Sequence, residues 1–183
     1  QTTGGYLYDR KLGDYLRESG DQVDILSLDD QGYFRNLLSR RPWLSLKHSE
    51  LKDYDAIIID ELCHSAVAGP VAELARHTCT IGLVHHLKCS EPQGWVMRKV
   101  ASIIEKRFLD NLNGLICNSQ TTALSCQNLA NKHIPTCVAK PATISSIETL
   151  TEDEIKRRTS HRDPMRITFL GTVTPRKGLH HLL

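Results

Sequence analysis

The stretch Asp55–His64, which reads DAIIIDELCH, decides the fold. It carries three consecutive isoleucines between an alanine and an aspartate. A short, unbroken apolar run of β-branched residues is typical of a strand that is buried on both faces of a parallel sheet. The sequence therefore predicts a strand over 55–60, with polar residues at its carboxyl end.

Apolar runs on either side of this strand alternate with segments of helical periodicity. Further strands are predicted over 23–28, 80–85, 114–117 and 136–139. Helices are predicted from Tyr8 to a stop at Gly20, over 33–47 with a break near Pro42, over 64–76, over 94–112, and from a cap at Asn118 or Ser119 through Leu129. This alternation favours the α/β class, and we expect a Rossmann-like, doubly wound parallel sheet with flanking helices.

The last stretch, Met165–Leu183, indicates the beginning of a second domain. It predicts a strand over 166–170 and then a helix that opens at Arg176-Lys177-Gly178. Backbone N–H groups and two cations at a helix start form an anion site. We therefore predict a first domain over 1–144, a polar linker over 145–164 with room for one solvated helix, and a truncated second Rossmann-like domain over 165–183.

The composition narrows the class of protein. The chain has 183 residues and a net charge of +2, which argues against a nucleic-acid binder. Its six cysteines form no C-x-x-C pair, so we expect free, buried thiols in a reducing cytoplasm. No apolar run approaches the roughly 20 residues of a membrane span. Because the chain begins with Gln1 rather than Met, we expect further residues before it.

Five segments occur in an order that resembles a known enzyme family. They are GGYLYDRKLGDYLRESGDQVDILSL, DAIIIDELCH, GLVHHLKCSE, IEKRFLDNLNGLICNS and RITFLGTVTPRKGLHHLL. Together they are similar to GT-B glycosyltransferases of the large retaining family 4, also called group 1 glycosyl transferases. The resemblance implies an acceptor-side domain followed by a donor-side domain, each Rossmann-like.

The resemblance also implies an activity. A sugar, typically a hexose, would move with retention from a nucleotide-diphosphate sugar to a lipid, glycan or small-molecule acceptor. The co-substrate is then the nucleotide sugar, with no other cofactor and no metal site in the protein. We expect residues 1–183 alone to be inactive, because most donor contacts would come from the second domain. Thr172 and Ala142 depart from the family pattern, which keeps a non-catalytic GT-B-like nucleotide- or sugar-binding scaffold as the alternative.

Donor-binding residues follow from the resemblance position by position. Gly4 and Gly5 match the glycine pair at which backbone amides approach the donor diphosphate, and only glycine permits so close an approach. Arg176 and Lys177 match the diphosphate-binding cations. Thr172 stands where family members often carry an arginine, which leaves Lys177 as the stronger candidate.

Catalytic and acceptor-side residues are expected after the strands, because ligands of parallel sheets lie beyond the carboxyl ends of the strands. His86 matches the family histidine that faces the reaction centre. Because neighbouring strand residues point to opposite faces, only one of the pair faces the cleft, and His85 is the alternative. The further acceptor-side candidates are Glu61, His64, His85, Glu91 and Ser119, for each of which capping or surface chemistry is the competing interpretation.

Two apolar and basic segments suggest a membrane partner. One is Phe34–Lys47 and the other is the helix that carries Arg98, Lys99, Lys106 and Arg107. Such segments suit peripheral contact with anionic lipid, here at the inner face of the cytoplasmic membrane. The competing interpretation is that the apolar residues pack on the sheet while the cations stay solvated.

Overall fold

The apolar runs of the sequence form one parallel sheet. Strand β1 is Ala56–Asp60, β2 is Cys79–Val84, β3 is Gly114–Cys117 and β4 is Thr136–Val138. Their spatial order is β1-β2-β3-β4, and each neighbouring pair is parallel. The computed structural model describes residues 4–28, 32–38, 51, 53–142, 149–160, 167–171, 173–174 and 177–182.

The sheet and its flanking helices confirm the α/β class. The strand predicted over 55–60 and the three that follow it lie within a residue of their predicted bounds. The prediction of a doubly wound sheet also requires that the spatial order of the strands reverses once. Among the described residues, the four strands lie side by side in the same order as in the chain, so the reversal stays a prediction.

Two of the described helices precede the sheet, and the others connect or follow its strands. Those of the described residues are α1 Gly4–Glu18, α2 Tyr33–Leu38, α3 His64–Val67, α4 Val71–Leu74, α5 Trp95–Asp110, α6 Gln120–Leu129 and α7 Glu152–Thr159. Gly20 ends the first of them as predicted, with a φ of 99° that favours glycine. Pro42 and most of the helix predicted over 33–47 lie outside the described residues. Within the described part of the chain, no helix combines the length and apolar character needed to cross a bilayer.

The single helix predicted over 64–76 is wrong, because the segment is broken. A 3-10 turn, Glu61–Cys63, leads into α3, and α4 begins only after Gly69 and Pro70. Proline lacks a backbone N–H, and its ring clashes with the carbonyl four residues before it. Pro70 therefore stops the first helical turn and starts the next.

The strand predicted over 23–28 is also wrong. Residues 21–28 have no regular secondary structure, and 71% of the Ile25 side chain is exposed. A strand is stabilised by ladder hydrogen bonds and by burial of at least one face. Apolar residues alone therefore did not make this segment part of the sheet.

The segment after the sheet also differs from its prediction. The chain divides into two compact units, Gln1–Pro141 and Ala142–Leu183. In the second unit α7 is an exposed helix within the segment predicted as a linker, and the linker itself stays a prediction, whereas residues 167–170 form no strand. The predicted α-helix after 176 is instead a 3-10 turn, Leu179–His181, preceded by Gly178 at a φ of 70°. A left-handed glycine at that point interrupts regular helix geometry.

The hydrophobic core lies in the first unit, between the sheet and the helices. Phe108 and Leu109 of α5 are completely buried there, with Val84 of β2. Burial is also found for two of the predicted thiols, Cys117 and Cys126. The prediction of buried thiols is wrong for Cys79 and Cys137, which are exposed.

Gly82 occupies a position where the core has no room for a side chain. It lies in β2 opposite Ile59 and Leu115, and an added Cβ would come within 2.6 Å of Leu112 Cδ1. We expect Gly82→Ala to lower the free energy of unfolding by about 1–3 kcal/mol, as overpacking of a filled core does. Urea denaturation followed by circular dichroism measures this change.

Gly69→Ala is the matched control. A Cβ at Gly69 meets no atom within 4 Å, and the backbone there has no left-handed φ. We expect its midpoint to stay the same or rise slightly, because alanine reduces the entropy of the unfolded chain at such a site. Equal midpoints for the two variants would contradict the close packing at Gly82.

Candidate functional site

Three titratable side chains meet at the carboxyl edge of the sheet. Asp60 is the last residue of β1, and His85 directly follows β2. Asp9 of α1 joins them, with its Oδ1 2.7 Å from His85 Nε2. One ligand atom from each of the three residues lies within 4.8 Å of the others, and all three residues are partly buried. We call Asp9, Asp60 and His85 the edge cluster.

Helix α1 contacts this edge of the sheet through Tyr8 and Asp9. The hydroxyl of Tyr8 donates to the carbonyl of Ala139, just after β4, at 2.8 Å. Its ring meets the His85 ring edge-on, with 5.1 Å between the centroids. Tyr8 and Asp9 therefore hold the helix to residues at the ends of two different strands.

Asp60 is held in place by the turn that follows it. One of its carboxylate oxygens accepts the N–H of Leu62 at 2.9 Å and so caps the 3-10 turn. Burial raises the pKa of Asp60, and the neighbouring charge of Asp9 raises it further. The charged form is thus less favoured here than for an exposed aspartate.

His85 carries the opposite charge preference. The hydrogen bond to Asp9 raises the pKa of His85, outweighing the effect of burial, and the charge of Asp60 acts in the same direction. A raised pKa makes the imidazolium form more populated near neutral pH. The cluster thus pairs a proton donor with two carboxylates, a set that suits proton transfer and the binding of hydroxyl groups.

The residues that follow β3 also contact the edge of the sheet at His85. Ser119, one of the two caps that the sequence predicted, caps α6 by accepting the N–H of Thr122 at 3.1 Å. The Thr122 hydroxyl lies 2.9 Å from Asn118 Oδ1 and 3.4 Å from the carbonyl oxygen of His85. Ser119 is therefore occupied as a cap, and its acceptor-side role stays a prediction.

A second group, Glu61, His64 and Glu105, lies in the interior, and we call it the buried cluster. His64 Nδ1 is 3.2 Å from Glu61 Oε1 and 2.6 Å from the Glu61 carbonyl oxygen. Its other ring nitrogen is 3.2 Å from the Tyr33 hydroxyl. Two predicted acceptor-side residues, Glu61 and His64, therefore have their polar atoms turned towards protein groups rather than solvent.

Glu105 anchors the loop that follows β2. Its two carboxylate oxygens accept the backbone N–H groups of Lys88 and Cys89. Burial raises the pKa of Glu105. Burial and the nearby Glu105 carboxylate also raise the pKa values of Cys89 and Tyr33, each to about 12, so both stay protonated at neutral pH.

His64 balances two opposing effects. Burial alone lowers the pKa of His64, and it is the largest single influence. The hydrogen bonds and the charge of Glu61 together outweigh burial, so that the pKa of His64 is raised. Because each member bonds to protein groups, the buried cluster links three segments of the chain rather than presenting groups to a ligand.

Of the two adjacent histidines, the structure brings His85 into the edge cluster. The Nε2 atom of His86 is buried and has no hydrogen-bond partner among the described residues. This separation agrees with the expectation that neighbouring residues point in opposite directions. The catalytic role of His86 stays a prediction.

The remaining predicted residues occupy three places. Gly4 and Gly5 open α1, about one helical turn before Tyr8 and Asp9. Glu91 lies 3.5 Å from Lys88 Nζ in a partly exposed ion pair. Lys177 belongs to the second unit, where it is exposed and donates its N–H to the Thr174 carbonyl, and Arg176 lies outside the described residues.

Sequence reasoning missed three of the residues that shape these clusters. Tyr8 and Asp9 had only the spacing of an ordinary surface helix, and Glu105 lay within a basic helical segment. Asp60 gave a usable signal, because it directly follows the clearest apolar run and so lies at the edge where ligands bind. No family model, curated protein or solved structure matches this chain.

Proposed function

We propose that this chain forms the acceptor-side part of a GT-B glycosyltransferase that uses a nucleotide-diphosphate sugar and retains the anomeric configuration. The observation that carries this proposal is the edge cluster, which lies beside the first turn of α1. An imidazolium can donate a hydrogen bond to the oxygen of a sugar hydroxyl, while a carboxylate accepts that hydroxyl's proton. The doubly wound sheet and the cytoplasmic setting belong to the same proposal.

The arrangement supports separate places for the two ends of a donor. Gly4 and Gly5 lie at the start of α1, the positive end of its dipole, where backbone N–H groups of a helix favour a diphosphate. Asp9, about one turn further along the helix, pairs with His85 and favours hydroxyl groups. The anionic and the polyhydroxyl parts of a nucleotide sugar thus find complementary groups near one helix end.

The test is nucleoside-diphosphate release by the complete protein from a panel of UDP-, GDP- and ADP-sugars, measured by chromatography. We expect release from one member, stimulated by the matching acceptor. Donor binding without release would favour the non-catalytic scaffold. Neither binding nor release with any donor would contradict both forms of the proposal.

Lys177 gives a second prediction on the donor side. If its ammonium binds the diphosphate, Lys177→Ala removes a hydrogen bond to a charged group, which contributes about 1.5–3 kcal/mol. We expect the donor KM to rise roughly tenfold or more with little change in kcat. Lys156→Ala, an exposed lysine of the same unit, is the matched control, and equal KM values for the two variants would remove Lys177 from the donor site.

A further inference from the structure

The outer face of α5 exposes large apolar side chains. Exposed fractions are 67% for Trp95, 53% for Val96 and 68% for Ile103. The inner face of the same helix already supplies Phe108 and Leu109 to the core. The inner apolar residues of α5 thus pack in the core, as the competing interpretation expects, while the outer three stay exposed.

Cations are interleaved with these apolar residues. Trp95, Lys99, Ile103 and Lys106 follow one another at spacings of four, four and three, so they share one face of the helix. Arg98 and Arg107 are exposed on either side of that stripe. We call these residues, with Val96, the α5 face.

The acidic residues of α5 are fewer than its cations. Glu105 is buried and bound to the loop after β2. Asp110, at the end of the helix, accepts hydrogen bonds from the backbone and side chain of Asn131. Among the ionisable residues of α5 that are not buried, the four cations Arg98, Lys99, Lys106 and Arg107 outnumber the single acid Asp110, so the exposed part of the helix has an excess of positive charge.

Within the α5 face, one contact pairs a cation with an aromatic ring. The ammonium of Lys99 lies 5.4 Å from the centroid of the Trp95 ring, within the range of a cation–π interaction. It holds an aromatic ring and a cation at the same level on the helix. Aromatic rings with one polar edge and lysines with long apolar stems both favour the interface between lipid headgroups and acyl chains.

We propose that the α5 face binds the surface of an anionic lipid bilayer, with the helix lying parallel to the membrane. Positive charge draws the face to anionic headgroups, and the apolar side chains enter the layer below them. Aliphatic Val96 and Ile103 have no role in binding a phosphate backbone, which disfavours a nucleic acid. Three part-exposed apolar side chains fall well short of the roughly 800 Å² per partner of a stable protein interface.

Charge removal tests the electrostatic half of the proposal. In co-sedimentation of the complete protein with phosphatidylglycerol–phosphatidylcholine vesicles, Lys99→Gln combined with Arg107→Gln is expected to weaken binding more than tenfold, since each basic residue near an anionic surface contributes about fivefold. Arg10→Gln with Lys11→Gln, two exposed cations of α1, changes the net charge equally and should have little effect. An equal loss in both double variants, or equal binding to pure phosphatidylcholine, would overturn the proposal.

Tryptophan fluorescence tests insertion at the helix itself. The chain has two tryptophans, so a Trp43→Phe variant leaves Trp95 as the reporter, and a Trp95→Phe variant leaves Trp43. Anionic vesicles that carry brominated lipid should quench Trp95 strongly and shift its emission to the blue. An unquenched Trp95, or a change in oligomer mass in place of vesicle binding, would contradict the proposal.

Discussion

Replacing Glu105 by alanine is expected to lower the free energy of unfolding by about 3–5 kcal/mol, because the change opens a buried polar cluster. The Glu105 side chain is completely buried on α5 and accepts the N–H groups of Lys88 and Cys89. Each N–H left without an acceptor costs about 1–3 kcal/mol. Urea denaturation followed by circular dichroism gives the midpoint and slope from which the change is obtained.

Two further variants isolate the cause of this loss. Glu105→Gln keeps the shape and one acceptor oxygen, so we expect an intermediate loss of about 1–3 kcal/mol. Glu73→Ala removes an exposed carboxylate from α4 and should stay within about 0.5 kcal/mol of the unmodified protein. A Glu105→Ala protein as stable as the Glu73→Ala protein would show that the buried cluster does not hold the loop after β2.

Asp9→Asn is expected to reduce sugar transfer by roughly 10²–10⁴-fold, the usual contribution of a positioned acid–base group. Asparagine keeps the shape of the side chain but removes the charge that pairs with His85. Asp14→Asn in the same helix is the control, because Asp14 forms an exposed ion pair with Arg17. Equal rates for the two variants would contradict a role for the edge cluster in the reaction.

The same substitution has a readout that needs no substrate. Asp9 is the main cause of the raised His85 pKa, whose ordinary value is 6.5, so Asp9→Asn should move the NMR titration of the His85 ring to lower pH. The stability that this pair contributes is fully present below about pH 6.5 and is lost as pH rises through the raised pKa. Asp9→Asn should therefore destabilise the protein more at pH 5.5 than at pH 8.5.

The sequence predicted those parts of the fold that depend on neighbouring residues. The apolar run at 55–60 became β1, and Ser119 became a cap, because both depend on local chemistry. The segment 23–28 carries a similar apolar pattern but no ladder, and its state depends on contacts that no local pattern records. Apolar character thus indicated a strand correctly only where a paired neighbour was present.

The candidate site was harder to predict for the same reason. Asp9 and His85 are 76 residues apart, so no motif spans them. Strand alternation restricted the choice to one of His85 and His86, but the choice itself depends on how α1 lies against the sheet. That placement comes from the packing of Tyr8 and from its hydrogen bond to Ala139.

The Tyr8–Ala139 hydrogen bond can form only late in synthesis of the chain. Each strand pairs with the one that follows it in the chain, and paired residues are 23, 33 and 21 positions apart in the three pairs (56 to 79, 81 to 114 and 115 to 136). The ribosome thus delivers the sheet one strand at a time, and β1 and β2 are both available before β3 exists. The acceptor of the Tyr8 hydroxyl, in contrast, is made 131 residues after Tyr8 itself. The hold on α1 at the candidate site becomes complete only after the last strand of the sheet has been made.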